Sequence, residues 1–127
     1  MIAAARRLAI LAALAVAPAA DAEDLARGRE LFAPCTACHA REPGRAGMAG
    51  PSLAGLKGRR IGGDPEFDYS PVLKQANASG ATWDEERLIR FLADPEEMFP
   101  AMWMSSRPMP GEADHRALAA YVLQDTP

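Results

Sequence analysis

Apolar residues recur at helical spacing in three stretches of the chain. In the first, Leu25, Gly28, Leu31 and Phe32 fall on one face of the segment 23–33. Acidic residues open this segment, and negative charge near a helix N-terminus is stabilising. The pattern therefore predicts a short helix that buries one face.

The other two stretches lie in the second half of the chain. Segment 84–93 opens on acidic residues and is followed by Pro95. Segment 112–124 is the last stretch in which apolar residues recur at helical spacing. Their inward faces are predicted to be Leu88, Phe91 and Leu92 in the former and Ala117, Leu118, Tyr121 and Val122 in the latter. One or two further helical turns are predicted over 70–78. No stretch alternates as a strand would, so the predicted fold class is all-α.

Two long aperiodic stretches separate these helices. Residues 40–65 contain seven glycines and three prolines, and residues 94–111 are rich in methionine and proline. Loops of this length are uncommon in a small domain unless they serve a function. Because the helices are short and their core is thin, we expect the loops to wrap around a bound apolar group.

The first 22 residues have the features of an export signal. Two arginines precede the apolar run 8–17, and Ala20-Asp21-Ala22 fits the small-x-small pattern of a cleavage site. Cleavage before Glu23 would leave one domain over 23–127 in the periplasm. The alternative is a retained membrane anchor, but ten apolar residues cross only about half of a bilayer core.

The charge of the chain limits its partners. The whole chain has 127 residues and a formal net charge of −3, and the predicted signal removes two arginines and one aspartate. The remaining domain is therefore one charge more negative. Nucleic-acid binding requires a basic face, which this balance disfavours. An acidic domain instead fits a protein partner with a basic docking face.

Both cysteines of the chain lie in Cys35-Thr-Ala-Cys38-His39. Cys-x-x-Cys-His is the signature of covalent attachment of a c-type haem. The two thiols bond the two vinyl groups of the haem, and the following histidine reaches the iron. We therefore predict one covalent haem c on Cys35 and Cys38, with His39 as an axial ligand.

Three other interpretations of the motif are possible. A structural zinc site needs four ligands, and His115 is the only histidine outside the motif. A thioredoxin-like dithiol needs a preceding strand, which no pattern predicts. The third alternative is a chance match.

The second axial position calls for another ligand. Electron carriers usually fill it with a methionine thioether, which raises the reduction potential. The loop 94–111 offers Met98, Met102, Met104 and Met109. At most one of them can bind the iron, and core packing is the alternative role for each.

The sequence resembles mitochondrial cytochrome c and the bacterial cytochromes c2, which are class I c-type cytochromes, across 23–127. The segments that carry the resemblance are Gly28-Arg-Glu-Leu-Phe32, the loop Gly50-Pro-Ser-Leu-Ala-Gly-Leu-Lys-Gly-Arg59, Phe67-Asp-Tyr69-Ser70, the helix begun by Trp83, Asp94-Pro95 and Leu118-Ala-Ala-Tyr121. The resemblance implies several short helices and long loops wrapped around one haem. It also implies an electron-transfer protein rather than an enzyme.

The resemblance also implies roles for particular residues. Pro100-Ala-Met-Trp-Met104 lies where the family has Pro-Gly-Thr-Lys-Met, so Met104 takes the ligand position, with Met109 and then Met102 as alternatives. The carbonyl of Pro51 would accept a hydrogen bond from His39. Three further side chains would approach a buried haem propionate, namely Arg59, Tyr69 and Trp83.

Other positions match the family's packing or depart from it. Gly28 would allow a close helix crossing beside Tyr121, and His115 is expected on the surface. Phe91, Met102 and Leu73 stand where the family usually has polar residues, and the chain has only two lysines, Lys57 and Lys74.

Three functions are compatible with these features. The first is a diffusible one-electron carrier between redox partners, without stable membrane insertion. The second is a dedicated electron-accepting subunit of a periplasmic dehydrogenase or oxidase, with the same haem site and a different surface. The third is a haem enzyme or gas sensor, which would need an open or labile sixth position. The chain is accordingly expected to be a monomer or a subunit of a larger redox complex.

Overall fold

A computed structural model describes residues 20–45, 47–105, 109 and 111–124. Within these ranges the chain forms five α-helices, one 3-10 helix and no strand, with an isolated bridge between Arg60 and Thr82. The α-helices are α1 (Ala22–Phe32), α2 (Pro71–Ala78), α3 (Glu85–Ala93), α4 (Pro95–Met98) and α5 (Glu112–Leu123), and the 3-10 helix is Ala33–Ala37. The all-α prediction and its four helices are confirmed.

Aspartate side chains begin three of the helices. Asp21, Asp84 and Asp94 each accept a hydrogen bond from the backbone amide three residues later, at 2.7 to 3.0 Å. Such caps satisfy donors that have no partner inside the helix. The prediction of an unbroken loop over 94–111 is therefore wrong at its start, where Asp94 and the following Pro95 give α4 a cap and a proline in its first turn.

The predicted signal boundary falls at the start of α1. Residues 1–19 of the predicted signal lie outside the described residues. Ala22 is the first residue of α1 and Asp21 is its cap, so cleavage before Glu23 would remove both.

Helices α1 and α5 cross at Gly28. A Cβ atom at this position would lie 2.2 Å from the Ala117 carbonyl oxygen and 2.6 Å from the Tyr121 Cβ, so only glycine permits the contact. Beside the crossing, Arg27 donates two hydrogen bonds of 3.0 Å to the carboxylate of Asp114. The close crossing predicted for Gly28 is confirmed.

An aromatic group forms the centre of the core. Trp83 packs edge-on against Phe91 and Phe99, with ring centroids 5.2 and 6.3 Å apart. The residues buried around these rings are Phe32, Leu56, Ile61, Leu88, Met102, Leu118, Ala119 and Val122. Edge-to-face rings of this kind contribute about 0.5–1.5 kcal/mol beyond their buried area.

Backbone hydrogen bonds tie the glycine-rich loop to the segment before α3. The Gly58 amide donates to the Trp83 carbonyl at 2.8 Å, and the Trp83 amide donates to the Arg59 carbonyl at 2.9 Å. The Ile61 amide donates to Ala81 in the same ladder. These bonds hold Arg59 and Trp83 next to each other, although 24 positions separate them in the chain.

The predicted surface position of His115 is wrong. Its side chain is buried on α5, and its Nε2 atom lies 2.7 Å from the Met109 carbonyl oxygen. A carbonyl can only accept, so Nε2–H donates. This bond anchors the backbone at Met109 to the last helix.

None of the helices in the described ranges is long and apolar enough to span a membrane.

Candidate haem site

The Cys-x-x-Cys-His motif folds as a tight turn after α1. The amides of Cys38 and His39 both donate to the Cys35 carbonyl, at 3.1 and 2.9 Å. Cys35 is half-buried and Cys38 is exposed, and the two do not form a disulfide. Burial raises the pKa of the Cys35 thiol. The turn brings both sulfurs and the His39 ring into one short stretch of chain.

The loop after the motif fixes the His39 ring. Its Nδ1 atom lies 2.8 Å from the Pro51 carbonyl oxygen, the contact expected from the sequence. The Gly50 amide donates to the Cys38 carbonyl at 2.9 Å, and a Cβ at Gly50 would lie 2.5 Å from His39 Cε1. Glycine is therefore required for the loop to lie against the ring.

This contact determines which ring nitrogen of His39 has a lone pair available for iron. The Pro51 carbonyl oxygen only accepts hydrogen bonds, so Nδ1 carries the proton. In the neutral ring, the lone pair is then on Nε2, the atom that can coordinate iron. A backbone acceptor behind a ligating imidazole also increases its basicity.

Met104 lies at a cavity of about 370 Å³. The cavity is lined by α4 and the segment that follows it, and its wall consists of Ala93, Asp94, Pro95, Glu96, Met102, Met104 and Ser105. Met104 is half-buried and packs against the core, whereas Met102 is buried in the same cluster as the aromatic rings. Met104 can therefore reorient more easily than Met102.

Met109 also packs against the core, but its backbone is held to α5. Its carbonyl accepts the 2.7 Å hydrogen bond from His115 described above. Met98 lies in α4 and packs against the same core. The structure thus separates Met102 and Met104, which line the cavity, from Met98 and Met109, which do not. Of the two cavity methionines, Met104 is the less buried.

The residues predicted to bind a propionate lie together. Trp83 is buried, and the Arg59 Nη1 atom donates to the Ala54 carbonyl at 3.3 Å. The Tyr69 hydroxyl accepts from the Asp64 amide at 3.2 Å. Burial raises the pKa of Tyr69, while the hydrogen bond from the Asp64 amide and the positive charge of Arg59 act in the opposite direction.

Ser70 is a buried polar residue to which the sequence analysis assigns no role. Its side chain is 2% exposed, and neither its Oγ atom nor the Nε atom of Arg59 has a hydrogen-bond partner among the described residues. Buried polar atoms are rarely left unpaired, because each costs about 1–3 kcal/mol. A buried carboxylate accepts hydrogen bonds from donors of both kinds, so these unpaired donors fit a haem propionate. The sequence signal was present, since Ser70 ends the Phe67-Asp-Tyr69-Ser70 segment.

The positions that depart from the family pattern differ in exposure. Phe91 and Met102 are buried and Leu73 is half-buried, so all three belong to the apolar interior. Trp103, by contrast, is 64% exposed.

Within the described ranges, no three His, Cys, Asp or Glu side chains are grouped closely enough for a metal ion, so the zinc interpretation has no support from the geometry.

Comparison with known proteins identifies the family. The model of the cytochrome c family matches residues 25–125, and the chain belongs to this family. It is 37% identical over 102 residues to cytochrome c2 of Agrobacterium tumefaciens (strain II Chrys), which covers 79% of this chain and 90% of that protein. It is 39% identical over 117 residues to cytochrome c2 of Blastochloris viridis, with 92% and 88% covered.

Solved structures agree with this assignment. The structure of cytochrome c2 from Rhodospirillum centenum matches with a TM-score of 0.71 at 30% identity, over 82% of this chain and 99% of that one. Cytochrome cH from Methylobacterium extorquens matches with a TM-score of 0.68 at 35% identity, over 78% and 96%. The fold is therefore that of class I cytochromes c, and the protein is a haem c electron carrier rather than an enzyme.

Proposed function

We propose that this chain is a periplasmic carrier that transfers one electron at a time through an iron ligated by His39 and Met104. The observation that carries the proposal is the 2.8 Å contact between His39 Nδ1 and the Pro51 carbonyl oxygen. It leaves Nε2 as the one ring nitrogen available for a metal. Haem c supplies the Fe(III)/Fe(II) couple when it is attached.

The residues of the chain have separate tasks in this proposal. Cys35 and Cys38 form thioethers that prevent loss of the haem. His39 and Met104 provide one strong nitrogen ligand and one thioether ligand, which favour the ferrous state more than two nitrogen ligands would. With both residues bound, the iron would have no open coordination position for a substrate.

The polar side chains beside Trp83 would stabilise the negative charge of a propionate. Ser70, Tyr69 and Arg59 would donate hydrogen bonds to a propionate that is removed from water, with Trp83 beside them. A buried carboxylate needs such donors, because its desolvation is costly. A constant set of donors would keep the surroundings of the iron similar in both oxidation states.

The export route and the partners complete the proposal. Residues 1–22 would act as a cleavable signal, and 23–127 would form the exported cytochrome domain. The acidic balance of this domain favours redox proteins with a basic docking face. The domain would work as a monomer or as one subunit of a larger redox complex.

Carbon monoxide binding to the ferrous holoprotein at neutral pH tests the carrier function. A carrier with two protein ligands should not change its absorption spectrum when carbon monoxide is added. A potentiometric titration of the same sample should fit a reversible one-electron couple. Rapid formation of a carbon monoxide adduct would instead favour the haem enzyme or gas sensor.

A further inference from the structure

The side chain of Trp103 is exposed to solvent, although its two neighbours in the chain are methionines that face the interior. Its side chain is 64% exposed, whereas Met102 is buried and Met104 is half-buried. Trp103 is the one large hydrophobic side chain of this exposure within the described residues. An apolar side chain of this size would normally be covered, and tryptophan is enriched at the energetic centres of protein interfaces.

The turn before Trp103 is a braced structure. The Met102 amide donates to the Phe99 carbonyl at 3.2 Å, and the Glu96 carboxylate accepts from the Ala101 amide at 2.8 Å. Ala101 has a φ of 62°, in the left-handed region that non-glycine residues seldom adopt. The indole is therefore presented by a turn whose backbone is held on both sides.

Carboxylates precede this turn in the chain. The segment 94–105 contains Asp94, Glu96 and Glu97 and no lysine or arginine, and the next basic residue along the chain is Arg107. All three carboxylate residues are exposed, and Asp94 and Glu96 line the cavity beside Met104. Acidic groups attract cations over a distance, and an indole face binds them at contact.

We propose that Trp103 and the carboxylates of Asp94, Glu96 and Glu97 form the docking surface for a redox protein with a basic face around an apolar socket. The proposal rests on the carrier function argued above, and it specifies where the partner binds. Charge complementarity selects this occupant, because a second copy of the chain would bring the same carboxylates against each other. The adjacent residue, Met104, is the proposed iron ligand, so a partner on this surface sits one residue from the redox centre.

Electron transfer to small oxidants of opposite charge tests the surface. In the reaction, the ferrous holoprotein gives one electron to tris(1,10-phenanthroline)cobalt(III), which leaves the ferric protein and cobalt(II). This complex carries three positive charges and aromatic ligands, and it stands in for a basic apolar face. Ferricyanide, which is anionic, serves as the comparison. Bimolecular rates are measured by stopped flow at increasing ionic strength.

The proposal predicts opposite responses from the two oxidants. Trp103→Ala should slow the cobalt complex about threefold or more and leave ferricyanide unchanged, and Trp103→Phe should fall between it and the parent protein. The double variant Glu96→Gln/Glu97→Gln should slow the cobalt complex and speed ferricyanide, with both effects lost at high salt. The matched control is Glu23→Gln/Asp24→Asn on α1, which removes the same amount of charge. Helix α1 packs on α5, whereas α4 packs on α3, so the control changes charge on a different helix pair.

Nuclear magnetic resonance gives an independent readout. The chain has two tryptophans, so the ferrous protein should show two indole N–H signals. The inert paramagnetic cation hexaamminechromium(III) should broaden the signal of exposed Trp103 and spare that of buried Trp83, and Glu96→Gln/Glu97→Gln should reduce this broadening.

Three results would overturn the docking surface. In the first, Trp103→Ala and the carboxylate variant react with the cobalt complex as fast as the parent protein. In the second, the Trp103 signal broadens with protein concentration alone, which would make a second copy the occupant. In the third, Trp103→Ala changes the reduction potential or the spectrum of the iron, which would make Trp103 a support for Met104. Failure of the carrier function would look different, because the parent protein would then exchange electrons with neither oxidant.

Discussion

The Nδ1 atom of His39 lies 2.8 Å from the carbonyl oxygen of Pro51, and Gly50 makes this contact possible. A methyl group at Gly50 would lie 2.5 Å from His39 Cε1 and 2.8 Å from Nδ1. The ring and the loop therefore cannot both keep their positions if a side chain is added there.

Gly50→Ala should displace the imidazole ring. We expect a loss of about 1–3 kcal/mol in the free energy of unfolding of the holoprotein, the usual cost of overpacking, together with a shifted reduction potential. Gly44→Ala is the control, because its Cβ would meet nothing within 4 Å and only its φ of 77° is unfavourable. The control should lose stability without a change in potential, and an unchanged potential in Gly50→Ala would contradict the role of the contact.

Gly28→Ala should weaken the contact between α1 and α5. The new methyl group would lie 2.2 Å from the Ala117 carbonyl oxygen, so the helices must separate. We expect a loss of about 1–3 kcal/mol in denaturant unfolding, despite the higher helix propensity of alanine. Ala26→Gly, at an exposed position of the same helix, measures the propensity alone at about 1 kcal/mol. A stabilised Gly28→Ala protein would show that the crossing is looser than described.

Ser70→Ala tests the site for the buried propionate. If the Ser70 hydroxyl donates to a carboxylate of the attached haem, its removal should destabilise the holoprotein by about 1.5–3 kcal/mol. Ser79→Ala is the control, because that exposed hydroxyl donates only to the Ala76 carbonyl at 2.8 Å. Equal and small effects in the two variants would exclude a charged partner for Ser70.

The ion pair between Arg27 and Asp114 should make stability depend on pH in acid. Its hydrogen bonds hold the pKa of Asp114 below its ordinary value of 3.8. A lowered pKa in the folded state adds stability above the unfolded pKa, and this stability disappears as the pH falls through the folded pKa. In unfolding measured from about pH 5 to pH 2, Asp114→Asn should reduce the loss of stability. Arg27→Gln should have the same effect, and a parent-like slope in both variants would contradict the assignment.

Much of the fold could be predicted because its signals are local. The apolar faces of α1, α3 and α5 follow from helical spacing, whereas the close crossing at Gly28 was implied by the family resemblance. The start of α4 was missed because Pro95 was taken only as the stop signal of the preceding helix, whereas it also lies in the first turn of α4. The burial of His115 was missed because helical periodicity does not reveal that the carbonyl of Met109, six residues earlier, accepts a hydrogen bond from its ring.

Some parts of the site could be predicted from the residues alone, and others could not. The Cys35-to-His39 motif is contiguous, so its chemistry can be read directly. The pairing of Arg59 with Trp83 depends on a backbone ladder between distant segments, and only the family resemblance indicated it. The unpaired hydroxyl of Ser70 becomes visible only when its neighbours are placed in three dimensions.

The most direct test of the account is the identity of the sixth ligand of the iron. The ferric holoprotein should show the weak long-wavelength absorption band of a methionine thioether bound to iron. Met104→Ala should abolish this band, and Met109→Ala should retain it while losing some stability. If Met109→Ala abolishes the band and Met104→Ala retains it, the proposed axial pair of His39 and Met104 is wrong.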